Sequence, residues 1–270
     1  MIIDFHTHIF PDAIARSTIE ALSKSASIPP HSDGTATGLR AQMSKAEVDI
    51  AINLPVLTKA KQFDSIVKFA QNLNLGKECP SIISFAGMHP DIEDYESKLE
   101  EIKALGFLGI KLHPDYQGTF IDDERYIKIL AYAKKLDLIT VTHAGLDGAF
   151  VGQPIKCTPL RTLKLLDALG GYDKLVLAHM GGNELFDEVL NELAGESVYF
   201  DTSYVLSFIG QDMFEKILAR HGEDKILFAT DSPWQDECKE ISLLRSFKLG
   251  DKVNEKIFSQ NAIKLLNLEV

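Results

Sequence analysis

The sequence predicts a single α/β domain over residues 1–270, built as a (β/α)8 barrel, also called a TIM barrel. Its length of 270 residues is close to the roughly 250 that are usual for this barrel. Short apolar segments alternate along the chain with segments whose apolar residues recur at helical spacing. Eight such pairs predict parallel strands that are buried on both faces and closed into a barrel. An open doubly wound sheet is the structural alternative, but no glycine-rich phosphate loop follows the first strand.

The predicted strands are rich in β-branched and aromatic residues and cover residues 2–8, 48–54, 82–89, 108–113, 138–143, 174–179, 197–201 and 225–231. The predicted helices cover residues 13–22, 38–45, 59–75, 95–105, 124–134, 160–169, 183–193 and 212–220, and helical segments continue to the C-terminus. Phe63, Val67 and Ala70 illustrate the helical spacing, and the acidic residues 122–124 favour a helix start. Residues 9–35 contain three prolines and are expected to form a long loop with one helix.

Composition and charge limit the kinds of function that the protein can have. Hydrophobic residues make up 45% and charged residues 25% of the chain, which is typical of a globular protein. The formal charge of -11 disfavours nucleic acid and anionic membranes as partners. We find neither a signal-peptide pattern nor about 18 consecutive apolar residues, and Cys79, Cys157 and Cys238 are not spaced as a zinc ribbon or disulfide framework. We therefore expect a cytoplasmic protein with a small-molecule substrate, for which homo-oligomerisation remains open.

Histidines concentrate where predicted strands end, which in such a barrel is the catalytic face. Residues two apart on a strand project to the same side, so His6 and His8 can bind one divalent cation. Six of the eight histidines lie at strand ends, whereas chance placement predicts about one; these six are His6, His8, His89, His113, His143 and His179. Asp231 ends an apolar strand, where a buried carboxylate is costly unless it binds a cation or a strong donor. The alternative role for Asp231 is a cap for the turn at residues 232–234.

Five segments carry a resemblance to a known family. They are Asp-Phe-His-Thr-His (4–8), Gly-Ile-Lys-Leu-His-Pro (109–114), Thr-His-Ala-Gly (142–145), Ala-His-Met-Gly-Gly (178–182) and Ala-Thr-Asp-Ser-Pro-Trp (229–234). In this order they resemble the amidohydrolase superfamily of metal-dependent hydrolases, and within it the amidohydrolase-2 family, which also holds metal-dependent decarboxylases. The resemblance implies a metal ion, usually Zn²⁺ or another divalent cation such as Mn²⁺, surrounded by His6, His8, His143 and Asp231, with His179 close by.

The resemblance also implies a mechanism. A divalent ion with an open coordination position lowers the pKa of its bound water from about 15.7 to about 7. Asp231 is expected to contact the metal, accept the proton of the water and deliver it to the leaving group. His179 is expected to polarise the scissile carbonyl, handle protons or bind a second metal. Both residues are therefore predicted to be catalytic.

Lys111 leaves two alternatives open. It shares a strand face with His113, so both side chains should point toward the site. In binuclear members of the superfamily a lysine at this strand carries carbon dioxide as a carbamate and bridges two metals. A bare lysine would instead hold a substrate carboxylate. We favour one essential metal, and a second would use a carboxylated Lys111 with His179, His113 or His89.

Weaker candidates complete the predicted site. His89 resembles a position in TatD-type nucleases, but those have a glutamate where this chain has Lys111, and His89 can equally be a turn residue. Asp4 is expected to support the histidines by hydrogen bonding. Tyr116 and Trp234 lie on strand-end loops, as do Asp201 and Tyr204, where aromatic packing and substrate contact are both open.

The leading functional hypothesis is a hydrolase that uses a metal-activated water to cleave a C–N or C–O bond in a small polar molecule. The second is a nonoxidative decarboxylase, in which the metal would be chelated by an aromatic or enol acid. A third is a metal-binding protein without turnover, but no predicted ligand position is missing.

Overall fold

The computed structural model describes residues 1–269 and has parallel strands wrapped by helices. The strands are β1 Ile3–Thr7, β2 Ile50–Asn53, β3 Ser81–Ser84, β4 Ala86–Gly87, β5 Gly109–Leu112, β6 Ile139–Thr142, β7 Leu175–Leu177, β8 Tyr199–Asp201 and β9 Ile226–Leu227. Each predicted strand is present, but the third is divided at Phe85 into β3 and β4. The division separates the hydrogen-bonded strands into two sets, β1-β2-β3 and β4 to β9 in chain order.

Backbone hydrogen bonds link these two sets into one structure. The Phe85 N–H donates to the Asn53 carbonyl at 2.9 Å, so the chain between β3 and β4 still pairs with β2. At the other edge the Phe5 N–H donates to the Phe228 carbonyl, and the Asp231 N–H donates to the His6 carbonyl, both at 2.9 Å. The first strand therefore meets the segment that follows the last one, as the predicted α/β barrel class requires.

Helices follow the strands as predicted, with two between β1 and β2. They are α1 Asp12–Ala26, α2 Ala36–Ala46, α3 Phe63–Leu75, α4 Tyr95–Ala104, α5 Glu124–Lys135, α6 Pro159–Leu169, α7 Phe186–Glu188, α8 Gln211–His221, α9 Glu237–Ser246, α10 Asp251–Glu255 and α11 Asn261–Leu266. The helix expected over residues 183–193 is a short α7 continued by a π-helical turn, Val189–Leu193. Within residues 1–269, none of the helices combines the length and apolar character needed to cross a bilayer.

Strand side chains are buried on both faces, which explains why the strands are almost continuously apolar. One cluster fills the barrel interior and includes Phe5, Ile52 and Phe85. A larger cluster lies between the strands and the surrounding helices and includes Leu112 and Leu130. The polar residues at the carboxyl ends of the strands are thus held on a rigid, fully packed support.

Two buried acids on α9 form an unusual feature of the packing. Glu237 and Glu240 are 1% and 0% exposed, and none of their carboxyl oxygens has a hydrogen-bond partner within the described residues. Burial raises the pKa of Glu237 to about 9 and that of Glu240 to about 7. Both groups are therefore protonated in the folded protein under conditions in which the unfolded chain ionises them. Folding stability is lost as pH rises from the ordinary glutamate pKa toward about 9.

We expect Glu237→Gln to raise the free energy of unfolding at pH 8 by about 1–3 kcal/mol, because the amide cannot ionise. The gain should shrink at pH 5, where the native glutamate is already protonated. Urea unfolding at pH 5 and pH 8 measures this gain in the free energy of unfolding. Glu196→Gln, at an exposed residue, is the control. A gain that is equal at pH 5 and pH 8 would contradict the assignment.

Candidate metal centre and active site

Three residues at the carboxyl ends of β1 and β9 bring their donor atoms to one point. The His6 Nε2 lies 3.1 Å from the His8 Nε2 and 3.6 Å from the Asp231 Oδ1. The His8 Nε2 lies 3.2 Å from the same carboxylate oxygen. Ligands about 2.0–2.1 Å from a tetrahedral ion are about 3.4 Å apart, so the three atoms are spaced as a divalent metal requires.

Hydrogen bonds at the Nδ1 atoms determine the tautomers of His6 and His8. The His6 Nδ1 donates to the Asp201 Oδ2 at 2.9 Å, and the His8 Nδ1 donates to the Leu54 carbonyl at 2.8 Å. Each Nε2 therefore carries a lone pair, and the two lone pairs converge on a carboxylate oxygen. Two imidazole nitrogens and a carboxylate oxygen that converge in this way form a donor set for a divalent ion, so these residues fit the metal that the family resemblance implies.

The charges of the group also suit a metal site. Burial alone would raise the pKa of Asp231, but its contacts with His8 and His6 hold the pKa below its usual value. Burial and the charge of Lys111 hold the pKa of His6 well below its usual value. The site thus presents a neutral His6 and a carboxylate at neutral pH.

The backbone at the two predicted catalytic residues is strained. Asp231 has a φ of 68° and His179 a φ of 59°, values in the left-handed region that non-glycine residues rarely adopt. Such strain persists only where the surrounding structure holds it, and it concentrates at functional sites.

Asp4 supports the site by hydrogen bonding, because its Oδ1 accepts from the His6 N–H at 3.1 Å and from the Thr230 N–H at 3.0 Å.

Asp201 is the residue whose importance the sequence did not reveal. Besides holding His6, it accepts from the His179 N–H at 3.0 Å and from the Ser203 N–H at 3.1 Å, both through Oδ1. It is fully buried. Like Asp231, it ends an apolar strand, and that shared signal could have identified it. The structure shows it as a hydrogen-bond centre that joins β1 to the β7 and β8 ends, instead of a loop residue.

His143 and His179 form a hydrogen-bonded pair beside the three clustered residues. The His143 Nδ1 lies 2.9 Å from the His179 Nε2, and the His179 Nδ1 lies 3.0 Å from the Ser203 carbonyl. The rings of His179 and His6 are 5.5 Å apart, so His179 adjoins the site. The structure does not place His143 in the group of His6, His8 and Asp231, and its predicted ligand role stays a prediction.

Lys111 lies inside the site, as its strand parity predicts. Its Nζ is 3.0 Å from the His6 Nε2, and the residue is 1% exposed. Burial lowers the pKa of Lys111 to about 8, against the opposing charges of Asp201 and Asp231. The amine thus contacts the nitrogen that a metal would bind, a position compatible with a substrate-binding cation and with a carbamate.

A second polar group lies near the first. The His113 Nε2 is 3.3 Å from the Asp147 Oδ2, and the His113 ring stacks on the His143 ring with centroids 4.3 Å apart. The Tyr116 ring lies 4.7 Å from that of His113 and 5.0 Å from that of Phe150, so it is packed among aromatic rings. The donor atoms of His113, His143 and Asp147 lie within 4.8 Å of one another.

Two predicted residues have local roles in the structure. The His89 Nδ1 accepts from the Asp91 N–H at 3.1 Å, a contact within its own turn. Trp234 is partly buried, and its N–H donates to the Asp231 carbonyl at 2.8 Å, which closes the turn after the last strand. Neither contact requires a substrate.

Comparisons with known proteins identify one family and several proteins of similar fold. A family model described as amidohydrolase matches residues 3–268, whereas no curated protein sequence gives a match. Among solved structures, the chain is similar to 2,6-dihydroxybenzoate decarboxylase complexed with 2,6-dihydroxybenzoate, with 18% identity, a TM-score of 0.73 and 99% of each chain covered. It is also similar to manganese-bound 5-carboxyvanillate decarboxylase from Novosphingobium aromaticivorans, with 15% identity, a TM-score of 0.72 and coverage of 99% and 97%. A protein assigned as a 2-pyrone-4,6-dicarboxylic acid hydrolase from Pseudomonas putida has 14% identity, a TM-score of 0.67 and coverage of 100% and 98%.

At these identities the solved structures establish a shared fold. The family match adds evidence from the sequence, because the match extends over nearly the whole chain and includes both His6 and Asp231. The resemblance that the five sequence segments indicated is thereby confirmed. The chain belongs to the amidohydrolase family.

Proposed function

We propose that this protein is a metal-dependent hydrolase that cleaves a C–N or C–O bond in a small anionic molecule. The observation that carries the proposal is the convergence of two histidine lone pairs on an ionised Asp231, with spacings of 3.1–3.6 Å. His6, His8 and Asp231 would hold the divalent ion, Zn²⁺ or Mn²⁺. When bound, the ion supplies a Lewis acid and lowers the pKa of water.

The side chains around this point have separate roles in the proposal. Asp231 accepts a proton from the attacking water and then gives it to the leaving group, since its depressed pKa keeps it ionised. His179 faces the developing oxyanion and is held in place by its contacts with Ser203 and His143. Lys111 binds an anionic group of the substrate, because it is the buried cation at this end of the barrel.

A nonoxidative decarboxylase is the second candidate, and the position of Lys111 favours it. A buried amine 3.0 Å from the His6 Nε2 would place a substrate carboxylate directly beside the metal ligands. Two of the similar structures are described as decarboxylases of hydroxylated aromatic acids. Such acids therefore belong in any substrate screen of this protein.

Isotope labelling distinguishes the two reactions. Zinc- and manganese-loaded protein would be incubated with a panel of lactones, amides and hydroxybenzoic acids in ¹⁸O-labelled water and, separately, in deuterium oxide. Hydrolysis places ¹⁸O in the product, whereas decarboxylation releases carbon dioxide and places deuterium on carbon. We expect ¹⁸O incorporation that is lost on chelation. Deuterium on carbon without ¹⁸O would replace the hydrolase with the decarboxylase, and metal-independent turnover would overturn both.

Lys111→Met tests the substrate role of the lysine. We expect the metal content to remain unchanged and the KM for anionic substrates to rise by about tenfold or more, since one charge-assisted contact of roughly 1.5–3 kcal/mol is removed. Metal analysis and steady-state kinetics measure the two quantities. A fall in metal content from two ions to one or none would indicate the carbamate bridge instead.

A further inference from the structure

One buried carboxylate oxygen at the candidate site has no hydrogen-bond partner among the described residues. It is the Asp115 Oδ2, on a residue that is 5% exposed and lies in the loop after β5. Buried polar atoms are nearly always paired, so this oxygen requires an explanation. The His143 Nε2 lies 3.8 Å from it, which is too far for a direct hydrogen bond.

His143 cannot supply a proton to this oxygen. The Ser203 carbonyl can only accept, so the His179 Nδ1 donates to it and the His179 Nε2 is left as an acceptor. That acceptor receives the proton of the His143 Nδ1, so the His143 Nε2 carries a lone pair. The ligand role that the family resemblance predicts for His143 would use this lone pair. The Asp115 oxygen beside it still lacks a donor.

His113 is equally unavailable to Asp115, although its ring stacks on that of His143 with centroids 4.3 Å apart. The His113 Nδ1 accepts from the Tyr116 N–H at 3.5 Å, so the His113 Nε2 carries the ring proton and faces the Asp147 Oδ2 at 3.3 Å. Of the two stacked histidines, one therefore contacts Asp147 and neither donates to Asp115.

A cationic group of a ligand matches this oxygen better than a metal ion does. Among the described residues, Asp115 belongs to neither of the two groups whose ligand atoms lie close enough together to hold an ion. Burial, and after it the nearby charge of Asp147, raises the pKa of Asp115 to about 6, so the carboxylate is ionised at neutral pH. An ammonium group offers such an oxygen both a positive charge and N–H donors.

We propose that Asp115 binds a protonated amino group of the substrate. Lys111 contacts the His6 Nε2 at 3.0 Å, whereas Asp115 adjoins His143, so the site has a buried cation at one ligand and a buried anion at another. The substrate class is therefore a small amino acid, with a carboxylate at one end and an ammonium group at the other. The carboxylate end rests on the proposed function, because it uses the role given there to Lys111. The ammonium end rests on Asp115 alone.

Binding of matched acids tests the proposal without any turnover. β-Alanine, γ-aminobutyrate and δ-aminovalerate carry an ammonium group where butyrate, valerate and hexanoate carry a methyl group. Titration of zinc-loaded protein with each acid, followed by ligand-observed NMR, gives the two Kd values of each pair. We expect the amino acid of at least one pair to bind about tenfold or more tightly than its partner, which is the effect of one charge-assisted hydrogen bond.

Two variants show whether this preference depends on Asp115. In Asp115→Asn the preference should fall to about threefold or less, because the amide has no charge and a weaker acceptor. In Asp167→Asn, which changes an exposed acid, the preference should equal that of the wild type. Circular dichroism checks folding, and Asp115→Ser replaces Asp115→Asn if the latter is misfolded.

The two ends of the substrate are tested separately. Lys111→Met should weaken both members of each pair to the same extent, because they share the carboxylate. If it does not, the role of Lys111 in the proposed function fails, while that of Asp115 stands. Equal binding within every pair in the wild type, or a preference that survives in Asp115→Asn, would overturn the assignment of Asp115. Loss of zinc from Asp115→Asn would also overturn it, since Asp115 would then be a metal ligand.

Discussion

Replacing Asp231 with asparagine should lower kcat by about 10²–10⁴-fold at saturating metal, which is the range for loss of a positioned general base. The amide has nearly the same shape but cannot accept the proton of the attacking water. The substitution also removes the negative charge of the Asp231 Oδ1, which lies 3.6 Å from the His6 Nε2 and 3.2 Å from the His8 Nε2. The metal should therefore bind more weakly. Kinetics over a range of metal concentrations, with a substrate from the labelling panel, separate the two effects.

The control for this variant is Asp167→Asn, which also removes one carboxylate but lies on the exposed face of α6. It should leave kcat and metal affinity unchanged. If Asp231→Asn regained full turnover once the metal concentration was raised, Asp231 would be a ligand alone. The role of proton acceptor would then have to move to another residue, and His179, whose ring lies 5.5 Å from that of His6, is one alternative.

Replacing Asp201 with asparagine should weaken metal binding by about 10–100-fold, although Asp201 does not belong to the ligand group. The carboxylate accepts the Nδ1 proton of His6 at 2.9 Å and thereby keeps the Nε2 lone pair free for the metal. An amide is a weaker acceptor and carries two protons, so it favours the other tautomer of His6. The substitution also weakens a second hydrogen bond, which the His179 N–H donates to the same carboxylate at 3.0 Å.

Competition with a chromophoric zinc chelator measures this change. Ser203→Ala is the comparison variant. It removes a hydroxyl that contacts Asp201, the His6 Nδ1 at 3.1 Å and the His179 Nδ1 at 2.9 Å, while it leaves the bond between Asp201 and His6 in place. We expect its zinc affinity to lie much closer to that of the wild type. Equal losses in the two variants would mean that the network acts as a whole, and no loss in Asp201→Asn would exclude the positioning role.

The sequence was sufficient for the features that depend on local periodicity. Continuous apolar runs located the strands, because parallel strands covered on both faces must be apolar on both. Alternation along β1 put His6 and His8 on one side, and their ring nitrogens are 3.1 Å apart in the structure. Strand ends, in turn, gave the positions of Asp231 and Lys111. These predictions use only which residues share a face.

Features that depend on distant partners could not be predicted in this way. Asp201 contacts His6 across 195 residues of sequence, and no local pattern encodes that contact. Strand-end position also says nothing about ring orientation, so the stacking of the His143 ring on that of His113 was not predicted. The division of the third strand at Phe85 likewise depends on which neighbour each half pairs with.

The candidate site joins the two ends of the chain, and this has a consequence for when metal can be acquired. His6 and His8 are synthesised long before Asp231, which follows the last strand, and the nearby bond between Thr230 and Asp4 spans 226 residues. No chain that stops before Asp231 contains all three residues of the candidate site, so such a nascent chain cannot form it. Loading of the proposed metal would therefore follow the synthesis of Asp231 and the closure of contacts between the first and last strands. The proposed ion would then stabilise the folded protein as a whole, by an amount that grows with the logarithm of its free concentration relative to Kd.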